Sequence, residues 1–295
     1  MRRLFFRIVL VGCLLLTPFA AEAYEVLILQ SSPSPVYDQV LRGVRSARRF
    51  SERLLVLSEY SEVDLQRIVR EERPLVILAL GDEALALART VRRLPVVGLL
   101  ASSLRAVAGS HPALTGVEVQ ASPERYLTMF QHLRVKRVGM VGSPTFSSHY
   151  IGRARQAAQR HGIELVIREV ESAREVSGQL ASLRGSVDAL WLLPDSTAVA
   201  RENVEAYFLF SMQHQVPVVV FSAAYLPAGA AVALEVDRHD TGRQGGELIA
   251  ALLRGEGVAE LPPAMPRKAV IKYNQTVLRR LGIPPEQVLR GVEQP

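Results

Sequence analysis

The chain has 295 residues, of which 48% are hydrophobic and 22% charged, a composition typical of a globular protein and not of a disordered one. Its formal net charge is +6, but the arginines are spread along predicted helix faces, so we expect no binding to nucleic acid. Cys13 is the one cysteine, which excludes a disulfide within the chain.

Residues 1–23 have the order of a secretory signal peptide. Three arginines stand among the first seven residues, an uncharged apolar run from Ile8 to Leu16 follows, and Ala21-Glu22-Ala23 is a small-residue cleavage site. We predict cleavage after Ala23, which leaves a cysteine-free periplasmic or otherwise extracytoplasmic protein. Two alternatives stay open: a lipid anchor at Cys13, although the residues after it are apolar where a polar tether is expected, and a retained N-terminal anchor.

Beyond the signal peptide, short β-branched or leucine-rich runs alternate with stretches of helical period. This is the pattern of β-α-β units and parallel sheets. The first series predicts four strands and three helices: strands at 25–29, 54–57, 75–80 and 96–100, and helices at 36–49, 63–71 and 83–91.

A second series of the same kind opens after Leu114-Thr115-Gly116. It predicts four further helices and four further strands: helices at 123–133, 148–161, 175–183 and 200–214, and strands at 137–141, 164–169, 189–193 and 216–222. The two halves therefore look alike, and we predict for each a small doubly wound sheet.

Polar loops follow the predicted strands of both halves. They contain serines, threonines, prolines, glycines and the two aspartates Asp82 and Asp195. Taken singly, each serine or aspartate is explained by helix capping, since such side chains satisfy free backbone N–H groups. In open parallel sheets, however, ligands bind outside the carboxyl ends of the strands. Together the loops predict a cleft lined by hydroxyls and N–H donors, suited to a small polar or anionic ligand.

Signatures of catalysis, cofactors and metals are missing from the sequence. No histidine pair has metal-ligand spacing, and neither a G-x-S-x-G elbow nor a Walker or G-x-G-x-x-G phosphate loop occurs. We therefore predict no cofactor and no enzyme activity, with Asp82 and Asp195 as the acids that an enzyme would have to use. Trp191 lies in the middle of a predicted strand and is expected in the core, whereas Tyr225 lies in a loop and could stack on a ligand.

Several stretches occur in an order and at a spacing that carry a family resemblance. They are Leu114–Val117, Val135–Val141, Asp188–Asp195, Gln215–Phe221, the glycine-containing run Gly242–Gly255 and Asn274–Thr276. Through them the mature chain resembles the substrate-binding proteins of ABC transporters, specifically the group with tryptophan- and other aromatic amino-acid-binding lipoproteins. The resemblance implies a type I periplasmic binding protein-like fold: two similar doubly wound α/β lobes joined by hinge strands.

The resemblance also implies a division of the chain. Lobe one would comprise residues 24–115 and about 238–258, and lobe two residues 116–237 and about 259–295. Residues 238–255 would form a helix that returns to lobe one, and residues 269–273 a strand of lobe two. The ligand-binding residues that it implies are Ser31, Ser32, Asp82, Ser102 and Ser103 in lobe one, and Ser143, Pro144, Thr145, Asp195, Ser196, Ala223, Ala224 and Tyr225 in lobe two.

The function implied is that of a receptor that closes its lobes on a small ligand and delivers it to an ABC permease in the inner membrane. A signalling receptor in place of the permease stays open as an alternative. If the ligand is an amino acid, Asp195 and Asp82 are the candidates to bind its ammonium group. Gly142–Phe146 and Leu80–Asp82 depart from the family pattern within the expected cleft, which leaves the ligand open between an amino acid and another small polar solute.

Overall fold

The computed structural model describes residues 24–289. The predicted signal peptide, its cleavage site after Ala23 and the alternative anchor at Cys13 lie outside the described residues. None of the described helices combines the length and the apolar character that a membrane crossing requires.

The first sheet has five parallel strands in the order β2-β1-β3-β4-β5. The strands are β1 (Val26–Gln30), β2 (Glu52–Val56), β3 (Val76–Leu80), β4 (Val96–Leu99) and β5 (Leu114–Val117), and the helices between them are α1 (Pro35–Ala47), α2 (Leu65–Glu72), α3 (Asp82–Ala88) and α4 (Leu104–Ala108). Every residue of β1 and β3 is buried, because helices cover both faces of the sheet. This explains why these strands appear in the sequence as continuous apolar runs.

The second sheet has six strands in the order β11-β10-β9-β8-β6-β7. The strands are β6 (Arg137–Gly142), β7 (Glu164–Glu169), β8 (Ala189–Trp191), β9 (Val218–Val220), β10 (Val232–Val236) and β11 (Ala269–Tyr273), and the helices from here to the end are α5 (Pro123–His132), α6 (Pro144–His161), α7 (Val176–Ala181), α8 (Arg201–His214), α9 (Arg238–Leu253), α10 (Gln275–Arg280) and α11 (Pro285–Leu289). All pairs are parallel except β10 with β11. The predicted fold class of two similar parallel-sheet α/β lobes is therefore confirmed.

Some elements differ from the prediction. β5, α4 and β10 were not predicted, and the proposed lobe boundary between residues 115 and 116 lies inside β5, which pairs with β4 in the first sheet. Strand β10 follows Ala230-Ala231 and itself contains Ala233, and alanine has a low preference for strands. Helix α6 begins at Pro144 and not at residue 148, since the fixed φ of proline suits the first helical position.

Helix α9 leaves the second lobe and packs on α1 of the first lobe at very short range. A Cβ atom on Gly242 would lie less than 3.0 Å from the carbonyl oxygen of Val40, and one on Gly43 would meet the carbonyl oxygen of His239 in the same way. Only glycine allows the two helix backbones to approach so closely. Gly43 and Gly242 are therefore explained by this contact between helices.

Three chain segments cross between the lobes: the one after β5, the one after β10 and the one between α9 and β11. Two of them hydrogen-bond directly, because Glu118 N donates to Ala264 O at 2.8 Å and Ala264 N donates to Gly116 O at 3.0 Å. The third segment, after β10, contacts the segment between α9 and β11, because Asp237 N donates to Lys268 O at 3.0 Å. The lobes are thus connected by a narrow, hydrogen-bonded group of segments, which we name the hinge (residues 117–120, 236–238 and 264–268).

The core of the second lobe is built around Trp191, which is 0% exposed, as expected from its place in the sequence. Its ring centroid lies 4.6 Å from that of Tyr126, 5.7 Å from that of Phe130 and 5.9 Å from that of Tyr150. The contacts with Phe130 and Tyr150 are edge-on, a favourable arrangement for aromatic rings. Through these contacts α5 and α6 pack against β8.

Candidate ligand-binding site

Ser31 joins two loops at the carboxyl end of the first sheet. Its Oγ donates to Leu80 O at 3.0 Å and accepts from Ala84 N at 3.1 Å, so it connects the loop after β1 with the start of α3. Gly81 lies between them with φ of +90°, where a Cβ would be closer than 3.0 Å to the hydroxyl oxygens of Tyr37 and Ser31. Tyr37, which the sequence analysis did not select, therefore lies beside this loop, and burial raises the pKa of its hydroxyl.

Asp82 binds the loop that follows β4. Its Oδ2 accepts from Ser102 N at 3.1 Å and Ser102 Oγ at 2.8 Å, and its Oδ1 accepts from Ser103 N at 2.9 Å and Ser103 Oγ at 2.6 Å. Burial alone would raise the pKa of this carboxyl, but the hydrogen bonds from Ser103 and Ser102 outweigh it and the net pKa is lowered. The structure thus brings together three of the predicted site residues of lobe one.

Asp195 has the corresponding role in the second lobe, but it is 0% exposed. Its Oδ2 accepts from Ser143 N at 2.7 Å and Ser147 Oγ at 2.5 Å, and its Oδ1 accepts from Thr197 N at 2.9 Å and Ala198 N at 3.1 Å. The carboxylate therefore joins the loop after β6 to the turn after β8. Both of its oxygens are enclosed by protein donors in this conformation.

The remaining predicted residues lie shortly after the carboxyl ends of β1, β6, β8 and β9. Ser32, Pro144 and Ser196 are exposed, and Thr145 belongs to the first turn of α6. The short 3-10 helix Ala223–Tyr225 is capped by Ser222, whose Oγ accepts from Ala224 N at 3.3 Å. The ring of Tyr225 lies 5.4 Å from that of Phe221, and burial raises the pKa of the Tyr225 hydroxyl.

A third acidic side chain contacts the loop after β9 through Ser222. Glu235, at the end of β10, accepts from Arg238 Nη2 at 2.7 Å, Lys272 Nζ at 2.9 Å and Ser222 Oγ at 3.4 Å. It lines an open groove of about 230 Å³ whose other wall includes Gln39 of the first lobe. The negative charge of Glu235 is therefore compensated by the side chains of Arg238 and Lys272.

One cavity has walls from both lobes and from the hinge. Its volume is about 40 Å³, and its lining consists of Ala101, Ser102, Leu104 and Arg105 from lobe one, Glu118, Val119 and Gln120 from the hinge, and His149 and Tyr150 from α6. Of the predicted residues, only Ser102 lines it. Asp82 and Ser103 are hydrogen-bonded neighbours of Ser102.

Charged side chains from both lobes meet at Glu118, which lines this cavity and whose side chain is 11% exposed. Its Oε1 is 3.0 Å from Arg105 Nη2 of the first lobe and 3.8 Å from Arg153 Nη1 of the second. Both contacts are ion pairs, but neither is a hydrogen bond to Oε1, because the angle of the first is unsuitable and the second is too long. We name Arg105, Glu118, Gln120 and Arg153 the interlobe cluster.

No member of the interlobe cluster was predicted from the sequence. Glu118 and Gln120 follow β5, for which no strand was predicted, so nothing marked them as residues at the carboxyl end of a strand. Arg105 and Arg153 resemble the many other surface arginines of the chain. Recognition of Leu114–Val117 as a strand is the signal that would have directed attention to Glu118. Within residues 24–289, no group of three or more His, Cys, Asp or Glu side chains is placed to hold a metal ion.

Comparisons with known proteins agree with the two-lobed architecture. The tyrosine-binding protein of Clostridioides difficile (strain R20291) is 22% identical over 193 residues, which make up 64% of this chain and only 54% of that protein's length. The ABC domain in complex with L-Trp from Streptococcus pneumonia has a TM-score of 0.63 at 19% identity, over 90% of this chain and 97% of that chain.

A ligand-free, open substrate-binding protein with adhesive properties from Clostridium difficile has a TM-score of 0.67 at 17% identity, over 88% of this chain and 95% of that one. At such identities the solved structures show the fold alone. The family model described as "ABC transporter substrate binding protein" matches residues 59–294, most of the chain. The chain therefore belongs to the family of ABC transporter substrate-binding proteins.

Proposed function

We propose that this protein is an extracytoplasmic receptor that closes its two lobes on a small ligand and delivers the ligand to an ABC permease. The observation that carries the proposal is the cavity at the hinge, whose walls come from both lobes. A ligand that contacts both lobes binds the closed state more tightly than the open one, and this difference in affinity drives closure. The family is one of substrate-binding proteins and not a class of enzymes, and we propose no catalytic step.

We further propose that the ligand is an amino acid, with aromatic amino acids as the first candidates. Support comes from the tyrosine-binding relative and from the L-Trp complex of similar fold. Neither aspartate of the predicted site has oxygens to spare for the ligand's ammonium group, because each accepts four hydrogen bonds from protein donors. We therefore propose that Asp82 and Asp195 shape the loops of the cleft. Direct contact of either aspartate with a ligand stays a prediction.

The test is binding by the purified chain from residue 24 onward. A panel of the twenty L-amino acids, nucleosides and small anions is screened by thermal shift, positive results are measured by isothermal titration calorimetry, and the radius of gyration is measured by X-ray scattering. We expect at least one ligand to raise the melting temperature and to reduce the radius of gyration, with its D-enantiomer as the control. If the whole panel leaves both quantities unchanged, the proposal is wrong.

The proposed location and partner need separate experiments. Mass spectrometry of the exported protein should find an N-terminus at Tyr24, and a lipid-modified N-terminus at Cys13 would overturn this. For the partner, deletion of the gene should abolish uptake of the radiolabelled ligand into cells. Unchanged uptake together with a lost transcriptional response to the ligand would favour the alternative of a sensor that signals to a membrane receptor.

A further inference from the structure

The interlobe cluster contains charged and polar atoms that the protein itself does not satisfy. Among the described residues, the buried atoms Arg105 Nε, Glu118 Oε1 and Gln120 Oε1 have no hydrogen-bond partner, although Glu118 Oε1 is in an ion pair with Arg105 Nη2. Such buried groups are costly when they stay unpaired, so native proteins pair nearly all of them. One donor and two acceptors with this deficit lie around the same cavity.

The charges of the cluster narrow the chemistry that could satisfy it. Two guanidinium groups flank the single carboxylate of Glu118, and the side chains of Arg105 and Arg153 are 35% and 34% exposed. Arg105 can present two parallel N–H donors, the geometry that binds a carboxylate in bidentate fashion. The oxygens of Glu118 and Gln120 can accept hydrogen bonds from an ammonium group, which has only donors.

We infer that the interlobe cluster is the binding subsite for the α-amino-carboxylate head of the ligand, an inference that rests on the proposed function. The ligand carboxylate binds Arg105, and its ammonium group binds between Glu118 and Gln120. Arg153 remains beside Glu118, where solvent also reaches it. An acid without the amino group would leave Gln120 unsatisfied and would lie close to Glu118, and an amine without the carboxylate would leave Arg105 Nε unsatisfied.

The size of the cavity indicates how the head group enters. Its volume of about 40 Å³ has room for only a few water molecules, since one water needs about 10–15 Å³ on the same scale, so it is too small for a whole amino acid. The head group must therefore part the ion pair between Arg105 and Glu118, with the ligand side chain directed elsewhere in the cleft. Arg105 belongs to the first lobe and Glu118 to the hinge. Replacement of their ion pair by contacts with the ligand therefore couples ligand binding to lobe movement.

The inference is tested by removal of matched groups from the ligand and from the protein. Affinities are measured by calorimetry for L-tyrosine, tyramine and 3-(4-hydroxyphenyl)propionate, and for the corresponding L-tryptophan series, with the wild type and the variants Arg105→Gln and Glu118→Gln. We expect loss of the carboxylate or of the amino group to weaken binding to the wild type by about 10- to 100-fold, since hydrogen bonds to charged groups carry such differences.

The variants should respond selectively. Arg105→Gln should weaken the amino acid by about 10- to 100-fold and the amine, which lacks the carboxylate, by less than about 3-fold. Glu118→Gln should weaken the amino acid and the amine but not the deaminated acid. The control is Arg155→Gln, which removes an exposed arginine of the same helix that holds Arg153 and should change no affinity. If Arg105→Gln fails to fold, the same affinities are measured with Arg105→Lys, and the ligand series with the wild type provides the second test.

The outcomes separate this inference from the proposed function. If amino acids bind but Arg105→Gln weakens the amino acid and the amine equally, or weakens neither, the inference is wrong and the proposed function stands. If only ligands without an α-amino-carboxylate bind, the inference and the proposed amino-acid ligand are both wrong, and the proposed receptor function stands. If no ligand in the panel binds, both the inference and the proposed function are wrong.

Discussion

Asp82 and Asp195 offer a matched test of what burial does to a hydrogen-bonded carboxylate. Each accepts four hydrogen bonds, two on each oxygen, from serine hydroxyls and backbone N–H groups. They differ in environment, because Asp195 is 0% exposed and Asp82 is exposed. Replacement of each by asparagine keeps the size of the side chain but exchanges one acceptor oxygen for an NH₂ group.

In Asp195→Asn, the NH₂ group is best placed at the position of Oδ2, because the Ser147 hydroxyl can rotate and accept from it, and one backbone N–H then loses its acceptor. A buried donor that loses its acceptor costs about 1–3 kcal/mol, so we expect a loss of about 1–3 kcal/mol in the free energy of unfolding. In Asp82→Asn, water can replace the lost acceptor, and we expect a loss of less than about 1 kcal/mol. Urea unfolding followed by far-ultraviolet circular dichroism measures both variants against the wild type.

Two outcomes would contradict this role of burial. If Asp82→Asn costs as much as Asp195→Asn, the number of hydrogen bonds decides stability and not their burial. If Asp195→Asn unfolds within about 0.5 kcal/mol of the wild type, a margin typical of surface substitutions, the enclosed network around Asp195 does not hold the second lobe together. A thermal scan provides an independent measure, with roughly 2–4 °C expected for each kcal/mol lost.

Three further predictions concern packing, pH and fluorescence. Gly242→Ala should lower the free energy of unfolding by about 1–3 kcal/mol, because its Cβ would overlap Val40 O. The control Gly178→Ala, with open space around it, should be neutral or stabilising by up to about 1 kcal/mol. Equal effects of the two variants in urea unfolding would contradict the helix contact. The pKa of Asp82 is lowered in the native state, so the native state binds fewer protons than the unfolded chain, and the ionised carboxylate stabilises the fold above the usual pKa near 3.8 but not as pH falls below it. The difference in the free energy of unfolding between wild type and Asp82→Asn should therefore shrink from pH 7 to pH 3. A constant difference would contradict this. Trp191, the only tryptophan, should emit at short wavelength and resist acrylamide quenching until the protein unfolds, and strong quenching of the native protein would place it outside the core.

Periodicity and composition predicted most of the fold correctly, and the misses have identifiable causes. Fully buried parallel strands such as β1 and β3 appear as apolar runs bounded by loop residues, so they are visible without the structure. β10 was missed because its alanine-containing sequence has a weak local preference for strands. Its place in the sheet comes instead from pairing with β9 and β11, which are distant in the sequence.

The candidate site divides in a similar way. Loops rich in serine and aspartate were correctly expected at the carboxyl ends of strands, because parallel connectivity brings these ends to one edge of each sheet. Which donors each aspartate would meet was not predictable. Asp82 binds serines about twenty residues away and Asp195 binds serines about fifty residues away, through contacts that exist only after the sheets have formed.

Local periodicity and the order of motifs are sufficient to predict the family and the two-lobed α/β architecture. The enclosure of Asp195, the place of Glu118 on a hinge segment, and the approach of Arg105 and Arg153 to it from opposite lobes depend on tertiary structure. The physical reason is that burial and charge pairing depend on which distant segments pack together. An arginine or a glutamate has the same local signal on a solvated surface as in a cleft between two lobes.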